Sequence, residues 1–235
     1  MKTAPVSVLF LILALVSASA DLTIVQKVEG VGPASEMTIK IKGDKARIDA
    51  TPQLTTIVDG KTGEVINLMK DQKAVVRMSA EKMKAAADMI SKYSGKSEKS
   101  GKPKVTATGK KETINGYEAE EYVCNTSFGK ATYWIAPKYP DGIAILKQLQ
   151  SLKSEIWNPT NSTMPDYRDF PGLPIKTIMD MGGSVVTSTV TSVKQDPLSD
   201  ADFVVPKDFQ EVKAPEMSTL LEKNEREPAV ASPTP

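Results

Sequence analysis

The chain has 235 residues, of which 40% are hydrophobic and 25% charged, with 30 Lys+Arg against 29 Asp+Glu, one cysteine and no histidine. A chain of this length buries about 70% of its unfolded surface, so a single core needs no disulfide scaffold. The interspersed charges lack the basic face that binds nucleic acid. Without histidine, and with Cys124 as the sole thiol, catalytic triads with a histidine base and the usual zinc sites are excluded.

The first 20 residues have the pattern of a signal peptide. Lys2 precedes an apolar run from Val8 to Val16, and Ala18-Ser19-Ala20 supplies the small residues of a cleavage site before Asp21. The run is about half of the roughly 20 residues that cross a membrane, although an uncleaved anchor is the alternative. We predict cleavage between Ala20 and Asp21, export to the periplasm or the medium, and a mature chain with neither a lipid anchor nor a membrane span.

The next segment, Leu22 to Met78, predicts a meander of antiparallel strands. Apolar Met37, Ile39 and Ile41 alternate with polar residues, which is the period of a strand with one buried and one wet face. Asp59-Gly60-Lys61-Thr62-Gly63 predicts a hairpin loop between two further strands, because its glycines allow positive φ angles.

A first amphipathic helix is predicted after this meander. Ser79 can cap it, and the helical period continues to about Tyr93. Residues 94–104 contain no apolar side chain and predict a surface loop. The apolar stripe of this helix consists of Met83, Ala86, Ala87 and Ile90.

Strands resume from Val105 to Ile114, and Asn115-Gly116 is the strongest hairpin signal in the chain. The predicted return strand is Tyr117–Asn125, and Lys130–Ala136 is the next strand. A second helix is predicted to about Ile156, with the stripe Ile143, Leu146 and Leu149.

The last part of the domain predicts a long hairpin. Residues 158–174 form an irregular excursion, after which 175–181 and 184–193 flank Gly182-Gly183. Pro206 to Val212 is extended. We predict one domain over residues 21–213, a terminal helix over 214–226 and a disordered, proline-rich tail over 227–235.

Together these elements predict a mainly β fold of the α+β class. Its centre is a strongly curved antiparallel sheet, or incomplete barrel, of about ten strands that two short helices cover.

Several segments resemble an uncharacterised bacterial family of exported proteins, catalogued as a domain of unknown function, whose layout is similar to the half-barrel of the lipoprotein carriers LolA and LolB. They are Asp59 to Gly63, Tyr133-Trp134-Ile135-Ala136-Pro137, Gly172-Leu173-Pro174-Ile175, Thr191-Ser192-Val193, and Ser199 to Pro206. The resemblance implies a curved sheet and helices around an apolar cavity that takes acyl chains. It implies no catalytic residues. The carriers latch their lid with an arginine, but neither Arg47 nor Arg77 matches a motif for that role.

Two short patterns are typical of other chemistry. Ser79-Ala80-Glu81-Lys82 and Lys61-Thr62-Gly63 fit motifs of serine β-lactamases, but their order in the chain is the reverse of that in those enzymes. The pairs Asp200/Asp202 and Asp166/Asp169 are not in ligand-dense loops. We therefore predict no enzyme activity, no metal site and no cofactor.

Both helical stripes fit plain core packing, and they also fit the lid of an apolar cavity. On the lid hypothesis the protein is an exported carrier of a lipid, a lipoprotein acyl chain or another apolar ligand. On the alternative it is an envelope structural or protein-interaction module with a solid core, whose contacts lie on the loops 94–104 and 158–174.

Overall fold

A computed structural model describes residues 20–30, 32–93, 103–126, 129–151, 165 and 169–213. The predicted leader up to residue 19, the terminal helix over 214–226 and the tail over 227–235 lie outside these residues. The predicted loop 94–104 and the excursion 158–174 are described only in part.

Twelve strands, two α-helices and one short 3-10 helix, Asp200–Phe203, are the regular elements of the described part of the chain. In chain order the strands and α-helices are β1 Leu22–Glu29, β2 Ser35–Lys42, β3 Lys45–Asp49, β4 Leu54–Asp59, β5 Val65–Met69, β6 Ala74–Met78, α1 Ala80–Tyr93, β7 Thr106–Ile114, β8 Tyr117–Thr126, β9 Gly129–Ala136, α2 Gly142–Ser151, β10 Leu173–Asp180, β11 Val185–Lys194 and β12 Gln210–Glu211.

All twelve strands belong to one large, open, curved sheet. Its order is β12-β6-β5-β4-β3-β2-β1-β11-β10-β9-β8-β7, antiparallel throughout except for the parallel pair β12 and β6. The predicted fold class is confirmed. The estimate of about ten strands is low. It omitted Lys45–Asp49, and it treated the short strand Gln210–Glu211 only as part of an extended segment.

Alternation along the strands gives the sheet two faces, which we name by one residue each. Strand partners point to the same face, so the registers assign residues across the whole sheet. The Ile24 face carries Leu22, Ile24, Ile39, Ile41, Tyr133 and Met179. The Lys176 face carries Lys40, Arg47, Ile57, Trp134, Lys176 and Thr187.

The main core includes the Ile24 face and both faces of β9. Leu22 and Ile41 are 0% exposed, and the four consecutive residues from Tyr133 to Ala136 are all buried. A strand buried on both sides shows a continuous apolar run instead of alternation. The sequence Tyr-Trp-Ile-Ala therefore marks the interior of the molecule.

A second, smaller core lies on the Lys176 face of β4 to β6. Ile57, Ile66, Leu68 and Val75 form it, and Val205 and Phe209 pack against it. We call residues 196–212 the C-terminal strap. Backbone hydrogen bonds from Gln210 N to Lys73 O (2.8 Å) and from Val212 N to Val75 O (2.9 Å) attach its end to β6.

The hairpin of β7 and β8 turns at Asn115-Gly116, as predicted. Both residues have positive φ angles, 51° and 85°, which Asn and Gly tolerate best. The Asn115 side chain donates from Nδ2 to Val190 O at 2.7 Å, so the hairpin tip reaches β11. The last five strands of the sheet therefore curl, with the Lys176 face inside the curl.

Cys124 is a buried residue. It is 2% exposed and free of any disulfide, and burial raises the pKa of its thiol. Because the thiolate is the reactive form, we expect Cys124 to react with Ellman's reagent only after urea unfolds the protein. Full reaction of the folded protein within the mixing time would show that the β8 environment opens readily.

Candidate ligand-binding face

The Ile24 face is continuously apolar where the start of β1 pairs with the end of β2. In the pairing of β1 with β2, Leu22 lies opposite Ile41 and Ile24 opposite Ile39. Leu22, Ile24 and Ile41 are buried, whereas Ile39 is half-buried at the edge of the cluster. Alternation in two adjacent strands therefore places four aliphatic side chains side by side.

Helix α2 packs into the same main core. Ile145 and Leu146 are 2% and 4% exposed, and Leu149 is partly buried against the core. Ile143, which belongs to the predicted stripe, is 51% exposed. The buried face of α2 runs through Ile145 and Leu149, which are four residues apart and so lie one turn above each other. That spacing was the available signal for Ile145, which the sequence analysis missed.

Helix α1 covers the cluster more lightly. Met83 is partly buried and packs against the core, and Ala86 is half-buried. The side chains of Ala87 and Ile90 lie outside the described part of the chain. Of the side chains described in α1, which are those of residues 80–86 and 88, none is buried. Few apolar contacts therefore hold the described half of this helix in place.

A rim of half-buried apolar side chains surrounds the main core. Three of them are methionines, whose flexible side chains adapt to irregular partners. The rim consists of Ile39, Met78, Met83, Val105, Tyr117, Tyr122, Tyr139, Leu149, Met179 and Val193. Part of the apolar surface is thus only half covered by the chain itself.

Two depressions in the described surface lie away from the predicted lid residues. The larger, of about 670 Å³, is on the Lys176 face of β10 and β11. The smaller, of about 430 Å³, lies between the turn that joins β2 to β3 and the C-terminal strap. Neither is lined by Met83, Leu146 or Leu149. The space beneath α2 is filled by its own side chains.

Arg47 belongs to a polar cluster under the C-terminal strap. Its guanidinium donates to both oxygens of Asp49, at 2.9 and 3.0 Å, and to Asp202 O at 2.8 Å. Thr55, which is 0% exposed, also donates to Asp49. Burial alone would raise the pKa of Asp49, but the hydrogen bonds from Arg47 and Thr55 and the nearby positive charges lower it to about 2.

Further contacts fix the strap to the opposite end of the chain. Lys40 Nζ lies 2.9 Å from Asp202 Oδ1, and Lys42 Nζ lies 2.8 Å from Asp200 Oδ1. Leu198 N donates to the Asp21 carboxylate at 2.7 Å. Arg77 also contacts the strap, because its guanidinium pairs with Glu211. It pairs with Glu64 as well. Within the described residues, neither Arg47 nor Arg77 bonds to α1 or α2, and the helical partner of Arg47 is Asp202 O in the short 3-10 helix Asp200–Phe203.

The two short patterns from the sequence have local roles. Ser79 Oγ accepts a hydrogen bond from Lys82 N at 3.3 Å and so caps α1, as predicted. Lys61 and Thr62 donate their backbone N–H groups to Asp59 Oδ1 at 2.9 and 3.0 Å in the β4–β5 turn, also as predicted. These contacts give the polar groups of the turn a structural role that does not require catalysis. Among the described residues, no helix is long and apolar enough to cross a membrane.

Comparison with solved structures finds distant likenesses. PNGF-II is 17% identical with a TM-score of 0.42, over 87% of this chain and 32% of that chain, so this chain spans about a third of its length. The Mycobacterium tuberculosis lipoprotein LppX is 11% identical with a TM-score of 0.38, over 75% and 88% of the two chains. LprF from Mycobacterium bovis is 13% identical with a TM-score of 0.31, over 81% and 90% of the two chains.

The search of curated proteins gives no match. Residues 22–209, which include all the motif segments singled out in the sequence and every strand up to β11, match a single protein family. The chain therefore belongs to the DUF4412 family, a domain of unknown function, as those motifs predicted.

Proposed function

We propose that the protein is a non-enzymatic, exported binding protein that carries a lipid, an acyl chain or another apolar ligand between its helices and the Ile24 face. The observation that supports this is the half-buried rim of apolar side chains, which α1 covers without burying any of its described side chains. An apolar ligand that displaced α1 would bury this surface more completely.

The energetics of such a ligand need no polar recognition motif. Burial of a long acyl chain gains on the order of 10 kcal/mol, at about 0.8 kcal/mol per methylene, before ordering costs. The proposed lid consists of Met83, Ala86, Ala87, Ile90, Ile143, Leu146 and Leu149. Within this set, Leu146 already belongs to the core and Met83 borders it, so α1 is the element that moves.

The same proposal includes export, because the first 20 residues have the pattern of a signal peptide. The proposed cleavage between Ala20 and Asp21 lies directly before β1, where Leu22 is 0% exposed. The Asp21 carboxylate is held by Leu198 N, so the folded domain uses the first residue of the proposed mature chain. The mature protein would act in the periplasm or outside the cell.

The binding proposal is tested by placing a charge under α1. Met83→Glu should weaken binding of the fluorescent fatty acid cis-parinaric acid about tenfold or more, because an unpaired carboxylate is costly in an apolar site. Ala85→Glu is the matched control, since Ala85 is exposed on the same helix and should bind as the unmodified protein does. Circular dichroism would verify that both variants fold. Equal binding by the two variants, or no binding by the unmodified protein, would contradict the proposal.

One observation favours the alternative of an envelope interaction module. Ile145 and Leu146 fill the space beneath α2, as a solid core requires. Native mass spectrometry of protein purified from its own envelope separates the two functions. Co-purified lipid supports the carrier, and a bound protein without lipid supports the interaction module.

A further inference from the structure

The larger depression lies inside the curl of the sheet, on the face opposite the proposed acyl site. Its floor comes from two cross-strand pairs of β10 and β11, Lys176 with Thr189 and Ile178 with Thr187. Glu29 of β1 pairs with Thr187 and extends the floor. The β7–β8 hairpin supplies the wall through Glu112 and neighbouring residues. A volume of about 670 Å³ falls within the range of pockets that hold small molecules.

The floor presents polar groups that donate no hydrogen bond to a protein acceptor within the described chain. Lys176 Nζ lies 3.7 Å from Glu112 Oε1, which is an ion pair too long for a hydrogen bond, and its side chain is only 24% exposed. Within the described chain, neither the ammonium of Lys176 nor the hydroxyls of Thr187 and Thr189 donate a hydrogen bond to a protein acceptor. The floor therefore has three donor groups whose hydrogen-bonding capacity is not used by the described protein.

Trp134 adds a buried polar group next to Lys176, although it is not among the residues that line the depression. It is the cross-strand partner of Lys176, whose ammonium lies 5.8 Å from the centre of the indole ring. Trp134 is 8% exposed, and its buried Nε1–H has no acceptor among the described residues. Buried N–H groups without an acceptor are rare in folded proteins.

The charges of the depression select the class of ligand. Glu29 and Glu112 stand at its rim with side chains 46% and 45% exposed, and each pairs with a lysine, Glu29 with Lys27 at 2.7 Å and Glu112 with Lys176 at 3.7 Å, so the balanced charges give an anion no net attraction. Lys176 on the floor would repel a cation. Neutral hydroxyl groups can accept from the floor and donate to the rim. Ile114 and Ile178 offer apolar contact for the C–H groups of a sugar ring.

We propose that this depression is a binding site for a neutral saccharide, with Lys176, Thr187 and Glu112 as its main polar contacts. The site shares none of these residues with the proposed acyl site, so each of the two proposals can fail alone.

The test follows the indole N–H signal of Trp134 in ¹H–¹⁵N NMR spectra of the Trp157→Phe variant, in which it is the only indole. We expect a saturable shift on titration with at least one of three neutral trisaccharides, maltotriose, cellotriose and chitotriose. Lys176→Met should weaken that binding about tenfold or more, since it removes a charged donor. Lys130→Met, an exposed lysine on β9 outside the depression, is the matched control and should leave the affinity unchanged.

Thermal unfolding would verify that the variants are folded, and Thr187→Val provides a milder change if Lys176→Met is unstable. No saturable shift with any of the trisaccharides would overturn the proposal. A shift with inorganic phosphate alone would also overturn it and would indicate an anion site at Lys176. Equal loss of binding in Lys176→Met and Lys130→Met would place the sugar elsewhere.

Discussion

Gly172→Ala is expected to lower the free energy of unfolding by about 3 kcal/mol, because the added methyl group would overlap the main chain. A Cβ at Gly172 would lie 2.4 Å from Ala136 O and 2.5 Å from Pro137 Cα. Leu173 pairs with Ala136 across β9 and β10, so the two segments cannot separate without loss of strand pairing. This contact joins two of the motif segments found in the sequence.

Gly142→Ala is the matched control for this prediction. A Cβ at Gly142 would meet its nearest neighbours at 3.5 Å, an ordinary contact distance, at the first residue of α2. Alanine favours helix more than glycine does, so the change in unfolding free energy should be within about 0.5 kcal/mol or slightly stabilising. Urea unfolding followed by circular dichroism measures both variants. Similar losses in the two would show that the close approach at Gly172 is not what determines stability.

Asp49→Ala is expected to destabilise the protein by about 2–3 kcal/mol at neutral pH. Asp49 accepts from Arg47 and Thr55, and Lys70 Nζ lies 3.5 Å away. Without the carboxylate, the guanidinium loses two of its hydrogen bonds and the fully buried Thr55 hydroxyl loses its acceptor. Asp71→Ala, which removes an exposed carboxylate from the neighbouring turn, should change stability by less than about 0.5 kcal/mol.

The same carboxylate predicts a pH dependence. The pKa of Asp49 is lowered from 3.8 to about 2 in the folded protein, so folding favours the ionised form. Its contribution is present above about pH 4 and is lost as the pH falls towards 2. Because the side chain is 25% exposed and solvent screens its charge, we expect the stability lost on protonation of Asp49 to be about 1–2 kcal/mol. The stability gap between the unmodified protein and Asp49→Ala should therefore narrow in acid, and a gap that stays constant to about pH 2 would contradict the assignment.

Local signals in the sequence predicted much of the fold. Asn115-Gly116 predicted the β7–β8 hairpin, and Ser79 predicted the start of α1. The alternation of Met37, Ile39 and Ile41 predicted a strand with one buried face. These features depend on neighbours a few residues apart, and the resulting curved sheet is confirmed. The two helical stripes predicted a lid over an apolar surface, and the Ile24 face is the candidate for that surface.

Features that join distant residues could not be predicted in this way. The polar cluster at Asp49 depends on Asp202, and the larger depression depends on Lys176 meeting Glu112 from another hairpin. In neither pair does the spacing along the sequence indicate that the two residues meet in the fold. The exposed position of Ile143 is different, because the spacing of Ile145 and Leu149 already indicated the correct helix face.

The position of β1 between β2 and β11 has a consequence for the order of folding. Strand β1 is near the start of the chain, but its second neighbour spans Val185–Lys194. Until that segment arrives, one row of main-chain groups on β1 has no partner and can pair with another molecule. Closing so long a loop is slow. A chain that becomes available for folding from its amino terminus, as it does during synthesis, therefore remains vulnerable to aggregation until nearly all of it has emerged.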